Sequence, residues 1–154
     1  MTTLHKTLKE LRTATGLGVA LCNEALIASN GDFVSALAYL EKKNGVKAAK
    51  LKDRVAGVSF IGMYRHHDGS KAAMVDLRCE TDFVARHEDF KGLASLVAMQ
   101  IVALNPETTE ELLAQEFITE FVIGSGTKTV QETIDALSAK VGEKIKIEAW
   151  KIFG

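Results

Sequence analysis

The chain has 154 residues, 47% hydrophobic and 25% charged, with a formal net charge of −1. That balance gives no global attraction to nucleic acid or acidic membranes, and no apolar run reaches the roughly 20 residues a bilayer span needs. Cys22 and Cys79 form no C-x-x-C pair, and Met1-Thr2-Thr3-Leu4-His5-Lys6 has no charged-then-apolar signal pattern, so a cytoplasmic protein is expected.

Residues 1–45 predict three short helices. Thr3 is a candidate cap for the first, with Leu4, Leu8 and Leu11 on one face; Gly16 ends it and Gly18 opens the next turn. The second is expected to run to about Ser29, burying Cys22, Ala25, Leu26 and Ile27, with Asn30-Gly31 as its stop. Asp32 caps a third, which presents Phe33, Ala36, Leu37 and Leu40 and closes at Asn44-Gly45. The core is small, near the limit for independent folding. The layout resembles a ubiquitin-associated-type bundle, and such bundles are binding modules more often than enzymes. Residues 46–57, rich in alanine and lysine, read as a basic connecting helix. A solvated tether is the reading taken for its charges, ahead of an RNA contact.

Residues 58–154 predict one α+β unit. Residues 58–65 are rich in β-formers, and Asp68-Gly69, within His67-Asp68-Gly69-Ser70, is chemistry for a two-residue hairpin loop. Residues 71–80 form the return strand, where Ala73, Val75, Leu77 and Cys79 alternate with Met74, Asp76, Arg78 and Glu80. A helix over 88–104 repeats Phe90, Leu93, Ala94, Val97, Ile101 and Leu104 at helical spacing, and Asn105-Pro106 ends it. Leu96, Met99 and Ala103 lie on another side of it. A helix apolar on two sides must be covered twice, by the helix opening at Thr129 or by a second chain. Thr108 with Glu111 and Thr129 with Glu132 read as capping boxes. The second box opens a helix with Val130, Ile134, Leu137 and Val141 on one face, ended by Gly142, while residues 117–123 stay open between strand and helix. The last strand alternates Lys144, Lys146 and Glu148 against Ile145, Ile147 and Ala149. The alternation then lapses over Trp150-Lys151-Ile152-Phe153, read as coverage of both faces. The expected fold is α+β: a three-helix module at 1–45, a connecting helix at 46–57, and at 58–154 a small three-stranded antiparallel sheet backed by helices.

The candidate chemistry is sparse. Gly124-Ser125-Gly126-Thr127-Lys128-Thr129 places one residue between its glycines where a phosphate loop needs four. His66 and His67 are adjacent, so on a strand they would face opposite sides and share no metal. Cys79 with His87 is the one imaginable nucleophile and base, but Cys79 sits on the apolar face of its strand, where burial quiets a thiol. The reading is a binding protein with no cofactor, no metal and no catalytic residues.

The remaining stretch is Arg78-Cys79-Glu80-Thr81-Asp82-Phe83-Val84-Ala85-Arg86, a strand-to-helix corner. Thr81 and Asp82 both suit a helix N-cap. Pattern alone leaves two readings for Phe83: a core ring closing the corner, or a projecting ring used as a probe on a partner.

Thr81-Asp82-Phe83-Val84 within this corner resembles the signature of the elongation factor Ts family. Leu11-Arg12-Thr13-Ala14-Thr15-Gly16-Leu17-Gly18 and Val141-Gly142-Glu143-Lys144-Ile145 match it in family order. The resemblance implies a guanine nucleotide exchange factor of translation elongation factor Tu. Thr81, Asp82, Phe83 and Val84 would dock beside the partner's magnesium and phosphate site, with Phe83 inserted between partner side chains. Arg12, Gly16, Leu17, Gly18 and Val19 would hold its nucleotide domain. Where family members often carry paired methionines this chain has Val19 and Ala20, and Leu21 stands where aspartate is common, so those contacts are smaller. Long members carry a second, related core half; short ones work as dimers, and a homodimer is expected here. The reading from a different class is a non-catalytic adaptor for another translation or ribosomal partner.

Overall fold

The computed structural model describes residues 3–118 and 128–154. Its first helices are α1 (Thr3–Thr15), α2 (Val19–Ala28) and α3 (Phe33–Lys50). They enclose a small cluster built on Leu11, Leu17, Cys22, Leu26, Ala36 and Leu40. The side chains of Thr3 and Leu4, the expected cap and first stripe residue, lie outside the described residues. Asn30 and Gly31 turn the chain with φ of 50° and 83°. Asp32 then accepts from the Ser35 N–H at 2.8 Å, the cap its residue type predicts. Ile27 is not part of this core; it is 68% exposed. Cys22, Ala25 and Leu26 define the inward stripe, and one further residue turns the chain about 100° away from it.

Asn44-Gly45 does not close α3, which runs 18 residues to Lys50. A glycine inside a helix costs about 1 kcal/mol relative to alanine, and packing offsets it here. The second half of α3 lies along α7 (Val130–Val141), where Lys47 Nζ donates to the Ala139 carbonyl at 2.6 Å. Lys128 pairs with Glu41 at 3.3 Å in the same seam. The start of the expected connecting helix is therefore the end of the third helix, and a turn at residues 51–54 follows.

The sheet consists of β1 (Val58–Arg65), β2 (Ala72–Cys79) and β3 (Lys146–Phe153), antiparallel, with β2 central. Its inner face carries the rows Phe60–Leu77–Ile147, Gly62–Val75–Trp150 and Tyr64–Ala73–Ile152. The lapse of alternation in the last strand is a β-bulge, not double coverage. Asp76 pairs with Ala149 and Leu77 with Ile147, leaving Glu148 as the extra residue. One added residue reverses the phase of a two-residue repeat, so Ile147 points inward before the bulge and Trp150 and Ile152 after it. Lys151 and Phe153 then face solvent, Phe153 at 51% exposure.

The hairpin loop has four residues, His67 to Ser70, closed by the His66 N–H donating to the Lys71 carbonyl at 2.8 Å. Only Gly69 takes a positive φ, 74°, so the Asp68-Gly69 pair does not form the two-residue loop. Asp68 instead accepts from the Ser70 N–H and hydroxyl, both at 2.8 Å, which hold its carboxyl down at about 2.

The inner face is covered by α5 (Glu88–Leu104), whose Phe90, Leu93, Ala94, Val97 and Ile101 are fully buried. Leu104 falls on the same side as Leu93 and Val97 by helical angle, but it is the last residue of α5, next to the turn at Asn105, and is 45% exposed. On the helix's second side Leu96 packs against the main core, Met99 is half-buried and Ala103 is exposed. Gln100 is fully buried and fully paired: it donates to the Glu116 carbonyl at 2.9 Å and accepts from the Ile118 N–H at 3.0 Å. It thereby ties down the segment after α6 (Thr109–Ala114). Thr108 caps α6, but the Glu111 carboxylate reaches back to the Glu107 N–H instead of that of Thr108, so only half the expected box forms. At α7 the box of Thr129 and Glu132 is complete, and Gly142 ends the helix with φ 73°. Most of residues 117–123, and Gly124-Ser125-Gly126, lie outside the described residues; Phe117 itself is buried.

Candidate functional site

The corner after β2 has two joints. A four-residue helix, α4 (Asp82–Ala85), comes first, and α5 begins separately, capped by His87 Nδ1 accepting the Asp89 N–H at 3.2 Å. Neither expected cap forms. Thr81 occupies the N-cap position of α4 without a side-chain cap bond, because its hydroxyl donates to Glu143 Oε1 at 2.6 Å. The Asp82 carboxylate is turned to Arg86 at 3.2 Å.

Glu143, which follows the glycine that ends α7, also accepts the Glu80 and Thr81 N–H groups on Oε2 at 3.1 and 3.0 Å. The arrangement is reciprocal. Glu80 Oε1 accepts the Lys144 N–H at 2.7 Å, and Arg54 reaches Glu80 Oε2 at 3.5 Å. Below them the Cys79 thiol donates to the Thr81 carbonyl at 3.2 Å. Burial pushes that thiol up to about 11, with the negative charge of Glu143 adding to the effect. It is a buried apolar group that also pins the corner, not a nucleophile.

Val84 and Ala85 turn into the main core at 9% and 8% exposure. Successive helix positions are about 100° apart, and with those two inside, Phe83 is outside. Phe83 is 81% exposed, next in the chain to Asp82, whose carboxylate pairs with Arg86. Of the four corner residues, Asp82 and Phe83 are free to meet a partner, Val84 anchors, and Thr81 is spent on Glu143. Val55, 84% exposed beside Arg54, is a neighbouring apolar residue that sequence reasoning left in the tether. The hydrogen bond from Arg54 to Glu80 is what brings that segment to the corner.

In the N-terminal module Arg12, Gly16, Gly18 and Val19 are exposed, whereas Leu17 is buried at 7% and supports the turn from beneath. A Cβ on Gly16 would lie 3.4 Å from Lys140 Nζ, and Lys140 pairs with Asp89 in the first turn of α5 at 2.8 Å. One lysine thus links the Gly16 turn to the helix that follows the corner. His66 and His67 do not face opposite sides of a strand; they sit at the hairpin turn with ring centroids 4.3 Å apart. Among the described residues no group of three or more acidic, histidine or cysteine side chains is arranged to hold a metal.

Fold and corner together define an α+β protein that presents one exposed aromatic ring on a braced turn. Residues 80–153 match the family described as Elongation factor TS. The chain is 40% identical to Elongation factor Ts of Clostridium perfringens strain SM101 over 148 residues, 96% of this chain and 46% of that protein. It is 47% identical to Elongation factor Ts of Syntrophus aciditrophicus over 114 residues, 70% of this chain and 57% of that one. For Chlorobaculum tepidum Elongation factor Ts the figures are 37% over 143 residues, 93% and 48%. The chain is thus similar to the elongation factor Ts family over nearly its whole length. It spans about half the length of the curated relatives it matches. No helix among the described residues is long and apolar enough to cross a membrane.

Proposed function

We propose that the chain is a cytoplasmic, non-enzymatic guanine nucleotide exchange factor that promotes GDP release from translation elongation factor Tu. The observation that carries the reading is Phe83, 81% exposed on a corner whose backbone is hydrogen-bonded to another part of the chain. An apolar ring wedged near the partner's magnesium and phosphate site competes with the nucleotide. A factor that prefers the nucleotide-free partner must, by linkage, weaken nucleotide binding by the same factor. Asp82 meets the same surface, while Thr81 and Val84 hold the ring in place. The module at residues 1–45 holds the partner's nucleotide domain through Arg12, Gly16, Gly18 and Val19, with Leu17 as their support.

The test is release of fluorescent GDP from elongation factor Tu. Addition of the chain at micromolar concentration is expected to accelerate release well above the spontaneous rate. Binding without acceleration overturns the reading and leaves the adaptor.

We infer further that two copies associate through the α+β unit. Leu96 is satisfied within the chain, so the support shifts from the second side of α5 to the outer face of the sheet. Ile61, Met63, Met74 and Phe153 are 40–65% exposed there, and Met63 lies directly across from Met74. Sedimentation at tens of micromolar is expected to give a dimer; a monomer at that concentration overturns this part alone.

A further inference from the structure

We propose that Glu143 is a positioning residue for nucleotide exchange, holding the Phe83 corner in its docking orientation from 62 or more residues away in sequence. The inference rests on the function proposed above. A helix of four residues cannot fix its own direction, since one turn's worth of hydrogen bonds barely offsets the ordering of its backbone. Within α4 the bonds are Ala85 N–H to Thr81 and Arg86 N–H to Asp82, at 3.2 and 3.1 Å. Direction is supplied from outside. One carboxylate takes both N–H groups that lead into the helix, and the hydroxyl at its cap, in three charge-assisted bonds. Glu143 is fixed in turn: its carbonyl accepts the Ser138 hydroxyl, and Lys144, the next residue, donates its N–H to Glu80. The corner is therefore referenced to the C-terminal end of α7 as well as to the strand it leaves. An aromatic anchor docks with less ordering cost when it is held in place beforehand.

A double-mutant cycle in the full chain, read as GDP release from elongation factor Tu, separates positioning from bulk stability. Glu143→Ala is expected to slow exchange about tenfold. Glu143→Gln, which keeps a side-chain oxygen for the two N–H groups, should recover to within about twofold of wild type. In the Phe83→Ala background Glu143→Ala should add almost nothing, because a residue that acts by placing the ring has no effect once the ring is gone. If Glu143→Ala abolishes the cooperative unfolding transition, Thr81→Val carries the same cycle with an expected loss of about threefold. Losses that multiply in the double variant overturn the proposal, as does wild-type exchange by Glu143→Ala alongside a slow Phe83→Ala. Wild-type exchange by Phe83→Ala itself overturns instead the functional reading on which the proposal rests.

Discussion

Replacing Phe83 by alanine is expected to cut affinity for nucleotide-free elongation factor Tu roughly thirtyfold and leave the fold almost untouched. Hot-spot aromatics in protein interfaces are worth about 2 kcal/mol or more on truncation, and 2 kcal/mol is about a factor of thirty. In the free chain the ring is 81% exposed, so its removal opens no cavity and gives up little apolar burial. A core ring behaves oppositely: truncating a buried phenylalanine costs about 3–5 kcal/mol, the behaviour expected of Phe90, which is fully buried. Exchange kinetics and thermal unfolding together decide the matter. Normal melting with lost exchange supports the probe, while a melting point lowered by several degrees with exchange preserved returns Phe83 to the core. Asp82→Ala is the milder companion. With no cap bond made by its carboxylate and only an exposed pair to Arg86 at 3.2 Å, its effect should fall on exchange.

A large loss of stability is expected from Gly62→Ala. A Cβ built on Gly62 would lie 2.5 Å from the backbone carbon and oxygen of Ala94 and 2.7 Å from its Cβ. Two of those atoms belong to the backbone of α5 and cannot swing aside as a side chain can. Overpacking costs typically 1–3 kcal/mol, and a clash with helix backbone belongs at the upper end. In a domain of this size each kcal/mol moves the melting temperature by about 2–4 °C, so a loss of roughly 6–12 °C is expected in calorimetry. A shift under about 2 °C would mean that α5 can lift off β1 at that point without cost. Strand glycines of this kind mark close approach of two backbones, which a β-propensity reading does not reveal.

What could be read from the sequence was what local rules decide. The inward run of Ala73, Val75, Leu77 and Cys79, the Asp32 cap, the Thr129–Glu132 box and the stop at Gly142 each depend on neighbours within a few residues, and each forms. Some misses are local, such as the Asp68-Gly69 loop and the half-formed box at Thr108; the others are contacts made at long range. Thr81 looks like a cap until Glu143 competes for its hydroxyl. Gly45 looks like a stop until α7 packs beside it, and the lapse after Ala149 looks like double burial until pairing with β2 shows an extra residue. At the corner the same limit held. The residue types marked the place, but only the burial of Val84 and Ala85 turned Phe83 outward, and the brace from Glu143 carries no local signal.

The uninterrupted α3 has a consequence for how this chain tolerates insertions and deletions. Its 18 residues are a rod of about 27 Å, with one end in the small N-terminal cluster and the other against α7. A residue gained or lost near Gly45 would not be absorbed as in a loop. It would slide one end by about 1.5 Å and swing it by about 100° around the rod's axis, carrying Arg12 and Val19 to another bearing relative to Phe83. Seven residues, close to two full turns, would restore the bearing to within about 20° while lengthening the rod by about 10 Å. The spacing between the two candidate patches is thus dialled in angle as well as in length, and changes of whole turns are the ones that preserve the angle.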